Sequence, residues 1–373
     1  MKVIIPFLSI FLFFNSSDSF AYPEMARTGY VNCNSCHISL NGGGILNDYG
    51  RKLSKEEVAV WKNPDEKSKE ENFLYGVMGE SPIQKWLKAG GNVRSVYYYQ
   101  NSPRSESGET ILMQADLQVA AIKDRWTLSA SAGVSQDGPG QEVEFLSRNH
   151  FLQYELSDQI RFRGGKFIPA YGITTPDHIT LTRDPLELGY NFESYNLEAS
   201  YISDQWNWFA TGILGRPDRD ELDQDQGFAL QGAYLFSEKI KAGLNTWYGK
   251  KQSSSRWLFG GFAIAGITDK LFGSTEFDVK SYQDGDHGIA TTQKLSYEII
   301  KGLWLYGMQE YGTSKMVTVT DSSTEVYGAG VQFFPRVHFE FNLAYEKILN
   351  RVNHGTSVAS VTDTVWLMSH FYL

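Results

Sequence analysis

Sixteen segments of alternating hydrophobicity follow one another from about residue 91 onward, and the links between them alternate short and long. In His338-Phe339-Glu340-Phe341-Asn342-Leu343-Ala344-Tyr345-Glu346, Phe339, Phe341, Leu343 and Tyr345 share one face, and His338, Glu340, Asn342 and Glu346 the other. Most segments run 9–13 residues, the length a tilted strand needs to cross a bilayer. Tight links fall at 157–158, 204–205, 237–239, 268–270, 301–302 and 335–336, and long polar ones at 101–110, 136–142, 168–193, 215–226, 251–255, 283–288, 315–323 and 350–361. A soluble sandwich has no reason to place its long loops at every second connection, whereas membrane barrels do so and leave no unpaired edge in lipid. The pattern predicts an all-β fold over 86–373: a transmembrane antiparallel β-barrel of about 16 strands, porin-like, with an aqueous lumen.

Composition supports strands. The 373 residues include 21 Tyr, 23 Phe, 9 Trp and 35 Gly but only 11 Pro. A net charge of −9 without a basic run argues against nucleic acid as a partner, and a mean hydropathy of −0.33 argues against a helical membrane bundle. Residues 1–21 have a different character. Lys2, the apolar stretch 3–14 and Ser19-Phe20-Ala21 form a signal peptide pattern. That apolar stretch is shorter than the roughly 20 residues of a membrane-spanning helix. Export follows, with a mature chain starting at Tyr22.

Residues 22–85 show no period-2 pattern. Ser54-Lys55-Glu56-Glu57 reads as a capping box opening a helix over 55–62, which Asn63-Pro64 ends. A unit of about 60 residues is too small to fold comfortably on apolar burial alone and needs a staple. Within it stands Cys33-Asn34-Ser35-Cys36-His37, a C-x-x-C-H in which two thiols can join the vinyl groups of one haem while the imidazole ligates its iron. A disulfide, a thiol redox pair and a zinc half-site compete with this reading. The redox pair does not require the His, and zinc needs further ligands in a chain with no other Cys. The expectation is one covalent haem c on Cys33 and Cys36, with His37 as proximal iron ligand. Met78, 41 residues beyond His37, is the candidate distal ligand, its competing role being an ordinary packing Met. Met25 is a weaker candidate, and a barrel-wall histidine, His338, an alternative. His150 and His370 read as structural residues on apolar faces.

Tyr22-Pro23-Glu24-Met25-Ala26-Arg27-Thr28-Gly29, then Cys33 to His37, then Leu46-Asn47-Asp48-Tyr49-Gly50-Arg51, ahead of a porin-sized barrel, resemble the fused monohaem cytochrome–porins of Fe(II)-oxidising bacteria. The resemblance implies a small N-terminal α-helical monohaem cytochrome c domain over 22–85, periplasmic or in the lumen of an outer-membrane barrel. It further implies electron transfer through that haem between an extracellular donor, Fe(II) among the candidates, and a periplasmic electron carrier, an electron carrier rather than a classical enzyme, with iron(II) oxidase as the enzymatic reading. Porin-like barrels often trimerise, so a homotrimer is in view. The alternative is a solute-diffusion porin whose fused cytochrome is a plug, redox sensor or docking unit, with Arg161, Arg163, Lys241, Lys280, Lys294, Glu276, Glu298, Glu340 and Glu346 facing the lumen. The link 168–193 occupies the place of an inward-folding third outer loop. Its Asp177, His178, Asp184 and Glu187 offer ligands for a hard or borderline cation, or simply keep the loop polar.

Overall fold

The computed structural model describes residues 23–61, 86–136, 138, 140–175, 179–188, 192–217, 225–251, 254–283, 285–314, 322–352 and 357–372. Strands β1 (Leu87–Ser102), β2 (Ser105–Lys123), β3 (Trp126–Gln136), β4 (Val143–Leu146), β5 (His150–Glu155), β6 (Ile160–Phe167), β7 (Ser194–Ile202) and β8 (Trp206–Gly215) come first. There follow β9 (Gln226–Ser237), β10 (Ile240–Lys251), β11 (Ser254–Gly266), β12 (Leu271–Tyr282), β13 (His287–Ile300), β14 (Leu303–Ser314), β15 (Ser322–Phe333), β16 (Phe339–Val352) and β17 (Ser357–Tyr372). Neighbours in sequence pair antiparallel, and β1 pairs with both β2 and β17, so the sheet closes. Both β4 and β5 pair with β3. They are one stave interrupted at Ser147-Arg148-Asn149, and the barrel therefore has 16 staves. The segment expected to run unbroken over 143–156 is divided there, and Ser131 N–H still donates to the Asn149 carbonyl across the gap (2.7 Å).

Two of the links read as long are instead strand. The polar stretch 101–110 extends β1 and β2 to a two-residue turn, and 251–255 likewise lies mostly in β10 and β11. Polar residues pair as strand where they rise beyond the apolar band, since β2 with 19 residues is roughly 60 Å long at about 3.3 Å per residue.

The pleat separates two environments. Leu117 (76 % exposed), Leu244, Leu295, Leu343 and Phe341 point outward, while Gln118, Asn196, Asn245, Asn342 (3 %) and Thr364 point into the lumen. An apolar surface extending around the whole cylinder far exceeds what a water-soluble monomer shows and matches a hydrocarbon-facing band. Trp126 against Tyr154 and Trp206 against Tyr234 mark its rim beside the short turns. Leu295→Arg, five residues inside the end of β13, is expected to cost roughly 2–4 kcal/mol, measured by urea unfolding of the refolded barrel in lipid; an unchanged midpoint would contradict this facing.

Among the described residues of the N-terminal segment, 23–61, no substantial helical domain of the kind expected over 22–85 is seen. The segment holds 3₁₀ turns at Pro23–Thr28 and Cys33–Ser35 and one short helix, α1 (Asp48–Leu53), which continues as a π-turn over Ser54–Val58. Asn47 caps α1, its side-chain oxygen accepting from Gly50 N–H at 2.8 Å. The expected start at 55 is therefore displaced toward the N-terminus. Ser54 is the C-cap of α1 rather than an N-cap, its N–H donating to the Arg51 and Gly50 carbonyls, and its hydroxyl shares a hydrogen bond with the Tyr372 hydroxyl of β17 (2.9 Å). Gly50 is needed because a β-carbon there would strike the Cys36 carbonyl. The segment's described residues pack on the wall rather than into a core of their own. Met25 and Val58 pack with Trp304 and Phe334, Ala26 and Val31 with Ile264 and Phe272, Leu40 with Ala170, Ile202 and Phe209, and Leu46 with Tyr372. The barrel wall is its staple, and the segment lies inside the lumen as a plug. The signal peptide reading of 1–21 and the stretch 62–85 lie outside the described residues.

Candidate functional site

The plug is tied to the end of the barrel that carries the short turns. Arg27 pairs with Glu298 (3.0 Å), donates to the Asp269 carbonyl (2.7 Å) and lies 4.7 Å over the Trp304 ring. Lys294 pairs with Glu24 at 2.8 Å. Lys241 donates to the Val31 carbonyl and Asn207 to Asn32. Arg163 reaches Ser39 Oγ at 3.2 Å, and Asn41 donates to the Ile168 carbonyl at 2.8 Å. Val60 and Trp61 N–H groups bond the carbonyls of Phe334 and Pro335 (2.9 and 3.0 Å). Gly266 allows the closest approach, since a β-carbon there would meet the Arg27 backbone. Burial holds the Arg27 guanidinium below its ordinary pKa, an effect that Glu298 opposes.

All nine lumen candidates carry inward or rim positions, and each is already engaged. Glu298, Lys294, Lys241 and Arg163 hold the plug, and Glu276 holds the 168–193 connection. Glu340 accepts from His370 and Glu346 from Trp366 (both 2.8 Å), while Arg161 pairs with Glu155 and Lys280 with Asp286.

The connection 168–193 does fold inward. Arg183 pairs with Glu276 at 2.6 Å, Tyr171 donates to Asp278 at 2.9 Å, and Leu181 N–H donates to Glu310 at 2.8 Å. No cation site forms there from the described residues. Glu187 is committed to Lys251 and Arg256, Asp177 and His178 and the side chain of Asp184 lie outside the described residues, and among the described residues no group of three or more His, Cys, Asp or Glu is placed to hold a metal ion.

Between the plug, this connection and the wall lies a cavity of about 270 Å³. Cys33 and His37 line it, with apolar walls from Leu40, Leu46, Leu53, Val58, Phe151, Phe167, Tyr171, Trp247 and Phe262. The 3₁₀ turn directs the N–H groups of both Cys36 and His37 at the Cys33 carbonyl (3.2 and 3.0 Å), which gathers the three residues of the motif. Cys36 is fully buried against Leu46 and Tyr372, and the two cysteines are free thiols. The residues fit a haem in that an imidazole and a thiol open onto one apolar chamber, with the second thiol one turn away. Burial pushes the Cys36 thiol up to about 12, helped by Cys33. In chain produced without haem, maleimide at pH 7–8 is therefore expected to label half-exposed Cys33 and spare Cys36, read by peptide mass spectrometry; equal labelling would refute this burial.

The remaining ligand candidates disperse. Met25 packs on Trp304, away from the cavity, and Met78 lies outside the described residues. His338, in a left-handed backbone conformation (φ 69°), is buried against Phe371 and Tyr372 and does not line the cavity. His150 bonds Ser147 and Tyr195. His370 lines the cavity, its ring nitrogens bonded to Glu340 and Asn92 (both 2.8 Å). Sequence reasoning passed over Arg94 and Arg148, which also line the chamber. Arg94 carries the inward phase of β1 and was legible; Arg148 sits in the break of a stave and was not.

No family profile and no curated protein matches the chain. Solved structures do. The outer-membrane-expressed OmpT of Vibrio cholerae aligns over 77 % of this chain and 97 % of its own at 12 % identity, TM-score 0.58. The outer membrane channel DcaP of Acinetobacter baumannii covers 77 % and 97 % at 11 % identity, TM-score 0.57, and OprB of Pseudomonas putida 78 % and 95 % at 7 %, TM-score 0.55. By fold the chain is a porin-like barrel. This overturns the assignment to fused cytochrome–porins, because the likeness is to porin barrels and the N-terminal segment is a plug without a cytochrome fold among the described residues. The electron-conduit reading falls with it, since no described cluster of metal-ligating residues accompanies the single C-x-x-C-H motif.

Proposed function

We propose that this chain is a solute-diffusion porin of the outer membrane whose N-terminal segment is a plug in the periplasmic half of the lumen. The observation that carries the reading is the set of bonds from Arg27, Glu24, Val31 and Val60 to wall and turn residues at the end with short turns, which faces the periplasm in outer-membrane barrels. Liposomes containing the refolded chain are expected to admit small polar solutes slowly, seen by osmotic swelling. Swelling no faster than in protein-free vesicles, with the plug removed as well, would overturn it.

The plug also carries a covalent haem c in this proposal, with Cys33 and Cys36 as attachment points and His37 as iron ligand, supported by the motif and the apolar chamber onto which it opens. A haem supplies a rigid apolar body and a one-electron couple; the protein's residues hold it across the lumen. Intact mass of the mature polypeptide from a haem-attaching host is expected to include one porphyrin, lost in Cys33→Ala/Cys36→Ala; an unmodified mass overturns this part alone. A homotrimer belongs to the same reading, supported by the description of in-vitro folded OmpT in a trimer form (TM-score 0.54).

A further inference from the structure

The outer surface of the barrel carries a polar row within its hydrocarbon-facing band. Thr275 on β12, Gln293 on β13 and Gln309 on β14 stand at matching register positions. Residues of the same phase on these strands, Phe277, Val279, Leu295, Tyr297 and Leu305, are exposed on the outer face. Gln293 is the seventh of the 14 residues of β13, and Gln309 the seventh of the 12 of β14. Both amides therefore lie at mid-strand, with apolar outward neighbours toward the short-turn end.

Lipid tails cannot answer these groups. Gln293 donates to Thr291 on its own strand, but the Gln309 amide and the Thr275 hydroxyl have no hydrogen-bond partner among the described residues. A polar group left unsatisfied in hydrocarbon is costly. The next register row, Gly273, Leu295, Gly307 and Ala329, has little side-chain bulk beyond Leu295. With Ala263 and Ala265 it forms an open groove bordered by Tyr327 and Tyr345. Small residues let protein backbones approach closely in a membrane. A primary amide both donates and accepts, so a second copy of this surface brings the groups that Gln309 needs, which an acyl chain lacks. Leu295 and the gap at Gly307 likewise place a projection and a recess on one surface, as a contact between identical chains requires.

We propose that the outer face of β12–β14 is the surface through which copies of this chain meet, with Gln293 and Gln309 hydrogen-bonded across the contact. This contact rests on the proposed homotrimer and gives it a location. The test uses full-length protein extracted from outer membranes in mild detergent and sized by native mass spectrometry. Urea midpoint and heat-shifted gel mobility report the fold of each barrel. The unaltered chain is expected to be trimeric. Gln293→Leu/Gln309→Leu should raise the dissociation constant about tenfold or more without lowering the unfolding midpoint of the monomer, because leucine suits lipid. Gln309→Asn should keep most of the assembly. Gly307→Trp and Ala329→Trp, each filling the groove, should give folded monomers, whereas Leu197→Trp on the outward face of β7 should stay trimeric. A leucine pair that remains fully trimeric overturns the contact while the homotrimer stands, as do tryptophan variants that fold and remain trimeric; if the tryptophan variants do not fold, the leucine pair decides. A monomeric unaltered chain overturns the homotrimer and the contact together, and leaves the pore to be judged by the swelling assay.

Discussion

Deleting residues 23–61 behind an intact signal sequence should raise single-channel conductance several-fold while the barrel still refolds. The wall does not depend on the plug for closure, since β1 pairs with β17 over ten register positions that include no plug residue. Plug removal uncovers Glu298, Lys294, Lys241 and Arg163, but into a lumen that fills with water, so they exchange protein partners for solvent instead of standing dry. A 16-stave barrel normally leaves an aqueous path, and what narrows this one at the short-turn end is the segment packed on Trp304, Phe334, Ile264 and Phe209. Gly266→Val offers a graded version, because the added side chain presses on the Arg27 backbone; its conductance should lie between the two. Planar-bilayer recording decides, and equal conductance in all three proteins would mean that the 168–193 connection alone sets the pore.

The largest stability effect is expected at Arg163. Its guanidinium and the Glu198 carboxylate are wholly buried and 2.7 Å apart, with the guanidinium 3.7 Å over the Phe167 ring. Arg163→Met leaves Glu198 with the Thr211 hydroxyl (3.0 Å) as its recorded donor in place of a cation. Stranding one buried charge costs about 3–5 kcal/mol, whereas replacing both partners by apolar side chains is often neutral. Urea unfolding in detergent should therefore show a large fall in midpoint for Arg163→Met and substantial recovery in Arg163→Met/Glu198→Leu. A double variant as unstable as the single one would show that the loss comes from the bonds to Ser39 and Asn41 and not from the stranded carboxylate.

The wall was readable in the chain because a period of two and the spacing of turns are local properties. Leu343 out and Asn342 in follow from neighbours alone. The break at Ser147-Arg148-Asn149 was not readable, since nothing local distinguishes a strand that pauses from one that continues. The plug was misread for a related reason. Ser54 and Glu57 have the spacing of a capping box, yet the Ser54 hydroxyl is drawn to Tyr372, 318 positions away, and Asn47 takes the cap. The size of 22–85, too small to fold comfortably on apolar burial alone, called for a staple. It did not reveal that Trp304, Phe334 and Tyr372 would complete one. The motif residues Cys33, Cys36 and His37 were evident from spacing alone and Arg94 was legible in the alternation of β1, while Arg148 needed the interrupted stave.

The seat of the plug includes the seam at which β1 and β17 close the barrel. Arg51 bonds the Ala89 carbonyl at the start of β1, and Ser54 bonds Tyr372 at the close of β17. The plug therefore has no complete berth until β1 and β17 have paired, a long-range contact that postpones docking until the wall has closed. Cys36 is sealed from solvent once docked, so any reagent that is to reach its sulfur has to do so before the plug is seated.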